Sequence, residues 1–253
     1  MQLYITLMPI KEVAMVAAIQ DRVTEVRDFL QVRLTDIHEI QAHPDNLHVM
    51  QAVLYSSFID ALGATRYGRN VDTRERFTRV IIEHGNWLEA EKICPMHLHR
   101  FLDISPGLPE LTQQLAFLID DWRSNQDGMI FLDLAPTKIE ITELWPDNGE
   151  KKHHKKTLSH FTYVNLLYGM RNGLLHQQYA AKGLPLFPKE QENVHYIFWN
   201  KLENGGQLEL IYPTQFLANL CDTLLESVMN DFEAKNEKPW DIGHFPNYLI
   251  DGL

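Results

Sequence analysis

The feature that most constrains this chain is a run of apolar residues at helical spacing. Val13, Val16, Ile19, Val23, Val26, Leu30, Leu34 and Ile37 follow one another at intervals of three and four. That spacing lays an apolar stripe along one long amphipathic helix, about residues 10–42, which must be buried against other helices. His43-Pro44-Asp45-Asn46 interrupts it, and a second helix is expected over about 47–65, with Gly68 and Asn70 as its stop. Asp72 or Thr73 opens a shorter helix to Gly85, and further helical patterns cover about 109–122, 157–181 and 213–235. Strand signals are few. Residues 129–134 and 138–144 read as two short strands around Ala135-Pro136-Thr137. Residues 193–212 alternate around Asn204-Gly205-Gly206, a hairpin signal. The reading is a mainly α fold, a bundle of helices with small β-hairpin insertions, spanning 1–253 as a single domain without an internal repeat.

Composition narrows the function classes. The 253 residues are 45 % hydrophobic and 23 % charged, the balance of an ordinary globular protein rather than a disordered or low-complexity one. The longest apolar run, Val13 to Ile19, is far below the roughly 20 residues of a membrane span. No basic residue precedes Lys11, so a secretory signal is not expected. Two cysteines, Cys94 and Cys221, are too few for a disulfide framework. The expectation is a cytoplasmic protein that does not associate with a membrane. With 23 Lys+Arg against 34 Asp+Glu, the net charge of −11 repels nucleic acid at long range. Any nucleic-acid role therefore needs a local basic patch.

The densest information lies in the helix expected over 157–181. At about 100° per residue, Asn165, Gly169, Asn172 and His176 fall on one narrow, small and polar stripe. Tyr163, Leu167, Met170 and Leu174 form an apolar stripe roughly opposite, and Phe161, Val164, Tyr168 and Leu175 a second apolar flank. A helix buried on two flanks turns its polar stripe toward a cleft or another subunit. Gly169 and Gly173 each cost about 1 kcal/mol of helix propensity against Ala, which close approach of a partner or ligand would offset. An ordinary polar pair of His176 with Asn172 in the core would produce the same pattern.

Arg171-Asn172-Gly173-Leu174-Leu175-His176 resembles the Arg-Asn-three residues-His form of the motif of HEPN (higher eukaryotes and prokaryotes nucleotide-binding) domains. Its setting, late in a long helix that is followed by a hairpin and a closing helix, is similar too. So are Ser57-Phe58-Ile59-Asp60-Ala61-Leu62, Arg66-Tyr67-Gly68 and Arg74-Glu75-Arg76-Phe77 upstream, and the resemblance spans about residues 45–235. It implies a HEPN-like antiparallel helical bundle. It also implies a metal-independent RNA endonuclease of a defence or toxin system, without cofactor, with Arg171, Asn172 and His176 as catalytic residues. A non-catalytic HEPN-like binding or assembly subunit is the alternative. The resemblance further implies a homodimer pairing two motifs, and an antitoxin or defence-system partner. Gln178 stands where toxins paired with nucleotidyltransferase antitoxins often carry Tyr, and Tyr179 comes one residue later.

The residue types suit that chemistry. Cleavage by RNA's own 2′-hydroxyl needs a proton acceptor working near neutral pH, which a histidine provides, and a cation beside the charged phosphorane. On a straight helix, however, Arg171 lies about 140° from His176. Either the arginine curls round, the helix distorts near Gly173, or the two face different partners. Lys151, Lys152, Lys155 and Lys156, with His153 and His154 between them, form the densest cationic run and are the expected RNA-binding residues, although a solvated loop reads the same way. Cys94, His97 and His99, with His84, have a spacing that zinc accepts but lack two well-separated ligand pairs, so no metal site is expected.

Overall fold

A computed structural model describes residues 10–124, 129–149, 151–177, 191–199 and 207–239. Among these the chain is mainly helical with one small antiparallel sheet. Helix α1 (Ile10–His38) buries Val23, Val26, Leu30, Leu34 and Ile37, the stripe expected from the sequence, and ends four residues earlier than expected. Helix α2 (Pro44–Tyr67) packs on α1, on α3 (Thr73–His84), on α7 (Tyr163–Gln177) and on α8 (Thr214–Lys235). Asp72 caps α3, its carboxylate accepting from the backbone N–H of Arg74 at 2.9 Å and Glu75 at 3.3 Å. Helix α8 buries residues on most of its circumference, from Phe216 to Phe232, and closes with Asn236 in the left-handed conformation.

A second, smaller core lies under α4 (Pro95–Ile104), α5 (Pro109–Ser124) and the short α6 (Lys138–Thr142). Ile93, Leu98, Leu102, Leu111, Leu115, Ile141, Trp145, Leu158 and Phe161 fill it. Strands β1 (Met129–Phe131), β2 (His195–Trp199) and β3 (Gln207–Ile211) pair in that order. Their register aligns Ile130, Tyr196 and Leu210, all buried in the main core. The hairpin expected over 193–212 is present as β2 and β3, while its turn at 204–206 lies outside the described residues. No helix among the described residues is long and apolar enough to cross a membrane.

Three expectations require correction. Of the strand expected over 129–134 only Met129–Phe131 forms, and Leu132–Leu134 turn into a 3-10 helix. Residues 138–144 do not form a strand. Thr137 and Glu140 make a reciprocal capping box, each satisfying the other's backbone N–H, and that nucleates α6 where alternating residues suggested β structure. The helix expected over 157–181 is not continuous either. Residues Leu158–Phe161 form a 3-10 turn, Thr162 is extended in a bridge with Ile93, and α7 begins only at Tyr163. The first N–H groups of α7 find acceptors outside the helix, Tyr163 on the Lys92 carbonyl at 3.2 Å and Val164 on that of Ala90 at 2.9 Å. Residues 178–181 lie outside the described ones.

Two helical glycines have opposite surroundings. A Cβ on Gly63 of α2 would meet the Arg76 carbonyl oxygen of α3 at 2.8 Å, whereas a Cβ on Gly169 of α7 meets nothing within 4 Å among the described residues. Gly63→Ala should therefore destabilise the fold by about 1–3 kcal/mol through overpacking. Gly169→Ala should stabilise it by up to about 1 kcal/mol. Urea unfolding of the two variants beside the wild type checks the opposite signs.

Candidate functional site

Helix α7 sits in the bundle as its pattern requires. Tyr163, Val164, Leu167, Met170 and Leu174 are buried, and Tyr168 and Leu175 are half-buried. Asn165 and Asn172 are half-buried and Gly169 is exposed, so among the described residues this edge of the helix is left open. The backbone of His176 continues the same edge one turn beyond Asn172; its side chain lies outside the described part.

The helix is unbroken through Gly173, so no distortion there brings Arg171 round, and the arginine's Nη1 donates to Asn172 Oδ1 at 2.8 Å. Its Nη2 donates to the carboxylate of Asp60 on α2. The guanidinium carbon also lies 5.8 Å from the centre of the Tyr168 ring, a cation–π contact. Both charged side chains are largely buried, 15 % exposed for Arg171 and 12 % for Asp60. Burial pushes the Asp60 carboxyl above its ordinary range, against the pull of Arg171 and Arg76. Asp60 Oδ1 and Arg171 Nε are buried and lack hydrogen-bond partners among the described residues.

Asp60 carries no catalytic role in the sequence reading. The signal was present: an acid on a buried helix whose neighbours one turn away are Ser56, Ser57, Gly63 and Ala64. Small residues around a charge mark close helix approach, which a partner must neutralise.

The lysine run is an ordered turn rather than a loose loop. His153 and Lys156 exchange backbone hydrogen bonds at 2.8 and 2.9 Å, and His154 and Lys155 have φ of 43° and 71°. Two central residues with positive φ make the tight turn of a β-hairpin. The turn is docked: Trp145 Nε1 donates to the Lys151 carbonyl at 2.8 Å, and His153 Nε2 meets the Ser105 carbonyl at 2.9 Å. Lys152, Lys155 and Lys156 are exposed, while Lys151 is paired with Asp147 at 3.6 Å. The turn lies at the N-terminal end of α7 and the motif at the other. From Asn165 to His176 the helix rises ~16 Å.

The residues weighed for zinc are scattered. His84 Nδ1 contacts Ser227 Oγ at 3.1 Å, and His99 pairs with Asp103. Cys94 and His97 lie together at 3.1 Å, but the cysteine also contacts the Tyr196 hydroxyl at 2.9 Å, which in turn meets that of Tyr163 at 2.8 Å. Among the described residues no three His, Cys, Asp or Glu side chains converge as metal ligands. Burial pushes the Cys94 thiol up to about 11 and, with Arg100, His97 down to about 4. No family model, curated protein or solved structure matches this chain.

Three measurements follow from this geometry. Asp60→Asn should cost about 2–3 kcal/mol by leaving Arg171 unpaired, and combining it with Arg171→Gln should cost much less than the sum of the two, as a double-mutant cycle reads. The buried thiols of Cys94 and Cys221 should resist a thiol reagent at pH 8 until the protein is unfolded. Unfolded His97 titrates near 6.5 and folded His97 near 4, so between these values only the unfolded chain gains the proton. Stability should fall as pH drops through that window, and His97→Gln should make the fall shallower.

Proposed function

We propose that this chain is a metal-independent RNA endonuclease of HEPN-like fold, acting in a defence or toxin setting. The observation that carries the reading is the hydrogen bond of Arg171 to Asn172 at 2.8 Å, one turn before the backbone of His176 on the same helix. In this reaction His176 takes the proton of the 2′-hydroxyl, and the 2′-oxygen attacks the neighbouring phosphorus. The bond to the 5′-oxygen then breaks as that oxygen takes the proton back from His176, leaving a cyclic phosphate and a 5′-hydroxyl. Arg171 stabilises the charge on the phosphorane, with Asp60 fixing its position. Asn172, its oxygen engaged by Arg171, offers its amide N–H groups to a phosphate oxygen. DNA, lacking the 2′-hydroxyl, is not cleaved. A homodimer that brings two motifs together across a two-fold axis belongs to this reading, as does an antitoxin or defence-system partner.

A second reading has its own support. Asp60 already neutralises much of the Arg171 charge, as a structural pair in a non-catalytic binding or assembly subunit would. RNA cleavage in the presence of EDTA separates the two. For the enzyme, chelator leaves the rate unchanged, and His176→Ala lowers it by about 10²–10⁴-fold, the usual worth of general acid–base catalysis. Arg171→Lys, which keeps the charge beside Asp60 but loses the planar fork, lowers the rate while melting changes little. Full activity in His176→Ala, or activity abolished by EDTA, rejects the proposed chemistry.

A further inference from the structure

Apart from the motif, the open edge of α7 has a cationic end. Arg74, in the first turn of α3, donates from Nε to Asn165 Oδ1 at 2.8 Å. Asn165 in turn donates from Nδ2 to Thr162 Oγ1 at 2.8 Å, and that hydroxyl is tied to the Ser159 carbonyl at 3.0 Å. The amide is thus locked from both sides and holds the guanidinium against α7 by one nitrogen, leaving its two terminal nitrogens for another acceptor. Among the described residues Arg74, Lys152 and Lys156 form no ion pair.

His160 stands in the same cluster. The backbone N–H of Thr157, which can only donate, lies 3.2 Å from His160 Nδ1, and Thr157 Oγ1 lies 2.9 Å from it. Nδ1 is therefore the bare nitrogen and the neutral ring carries its proton on Nε2. Burial, Arg74, Lys156 and Lys152 together hold His160 below its ordinary 6.5. Guanidinium nitrogens, an imidazole N–H and exposed ammonium groups make a site for an oxyanion, while the nearby Asp72 carboxylate is engaged by the backbone N–H groups of Arg74 and Glu75.

We propose that Arg74, His160, Lys152 and Lys156 form a phosphate-binding platform for single-stranded RNA, from which the strand runs along the bare Gly169 edge of α7 to Arg171 and Asn172. The proposal rests on the ribonuclease reading for the choice of RNA. Its geometry is independent of that reading. Gly169 supplies an exposed step with no side chain between the two cationic ends, and Asn165 to Asn172 spans ~10 Å of helix. In a chain of net charge −11, this edge is where a phosphate backbone meets local attraction strong enough to oppose the long-range repulsion. A single strand fits because in-line attack by a 2′-hydroxyl requires a backbone free of A-form constraint.

Fluorescence anisotropy with a short 2′-O-methyl oligouridylate, which 2′-hydroxyl attack cannot cleave, tests this on the full chain over a salt series. Each phosphate contact on a single strand contributes about 0.7 to the slope of log K against log salt. Lys152→Gln with Lys156→Gln should make the slope shallower by about 1.4, and adding Arg74→Gln by about 0.7 more. The two lysines are exposed, so their double variant keeps the fold even where Arg74→Gln does not. Gly169→Glu, which has no neighbour to clash with among the described residues, should weaken binding by roughly tenfold, and Gly169→Gln by less. An unchanged slope in the lysine variant overturns the platform. Gly169→Glu binding at full affinity overturns the strand path, and so does Gly169→Glu dissociating a dimer in sedimentation, which assigns the edge to a second copy. Salt-dependent binding lost in the variants of a chain that never cleaves RNA upholds the platform and rejects the ribonuclease. Cleavage and binding indifferent to all these variants do the reverse.

Discussion

Helix α2 meets four other helices, and the rest of the structure depends on how that helix tolerates burial. Ala52, Tyr55, Phe58, Ile59 and Leu62 meet the demand with apolar surface. Two of its small polar residues turn their hydroxyls back onto the helix, Ser57 to the Val53 carbonyl and Thr65 to that of Ala61. Asp60 is too short and too charged for that solution. Its carboxylate takes Arg171 as partner, which ties the hub of the bundle to α7 and sets where the guanidinium rests. The position of a candidate catalytic residue is thus a consequence of packing around α2. Gly63, one turn along, admits the α3 backbone so closely that Arg76 also acts on Asp60.

Charge is distributed unevenly over this acidic chain. Many arginines elsewhere are matched to acids: Arg22 to Glu25, Arg33 to Asp36, Arg79 to Glu83, and Arg66 to both Asp231 and Glu237. The exposed pairs among them contribute little to stability individually, but all cancel one another's fields. Along the α3–α7 edge the pattern reverses. Arg74 is matched to a neutral amide, His160 to a threonine, and the lysines beyond the one paired with Asp147 stand free of ion pairs among the described residues. Local attraction on a repulsive body favours short segments of polyanion over long ones, since a long strand must also cover the acidic surface.

The sequence by itself determined the class of fold and the orientation of α7. A stripe at intervals of three and four can be buried only as a helix, so α1 was legible from Val23 to Ile37. The opposed polar and apolar stripes of α7 placed Tyr163, Leu167, Met170 and Leu174 inside and Gly169 outside. The Asp72 cap and the β2–β3 pairing were equally local, because the groups that interact are neighbours in the chain or across one turn. Helix α6 was local as well, yet alternation concealed it while the Thr137–Glu140 box decided it.

Tertiary structure alone decided the rest. Thr162 breaks the helix because Ile93, far away in sequence, offers a bridge and the 90–92 carbonyls accept the first N–H groups of α7. Arg171 finds Asp60 across 111 positions, and Arg74 finds Asn165 across 91. Helical periodicity states which face a residue occupies but not which residue it meets there. Charge pairing depends on distances of a few ångströms between elements, and those distances follow from how α2, α3 and α7 pack, a property of the whole core that no window of the sequence contains.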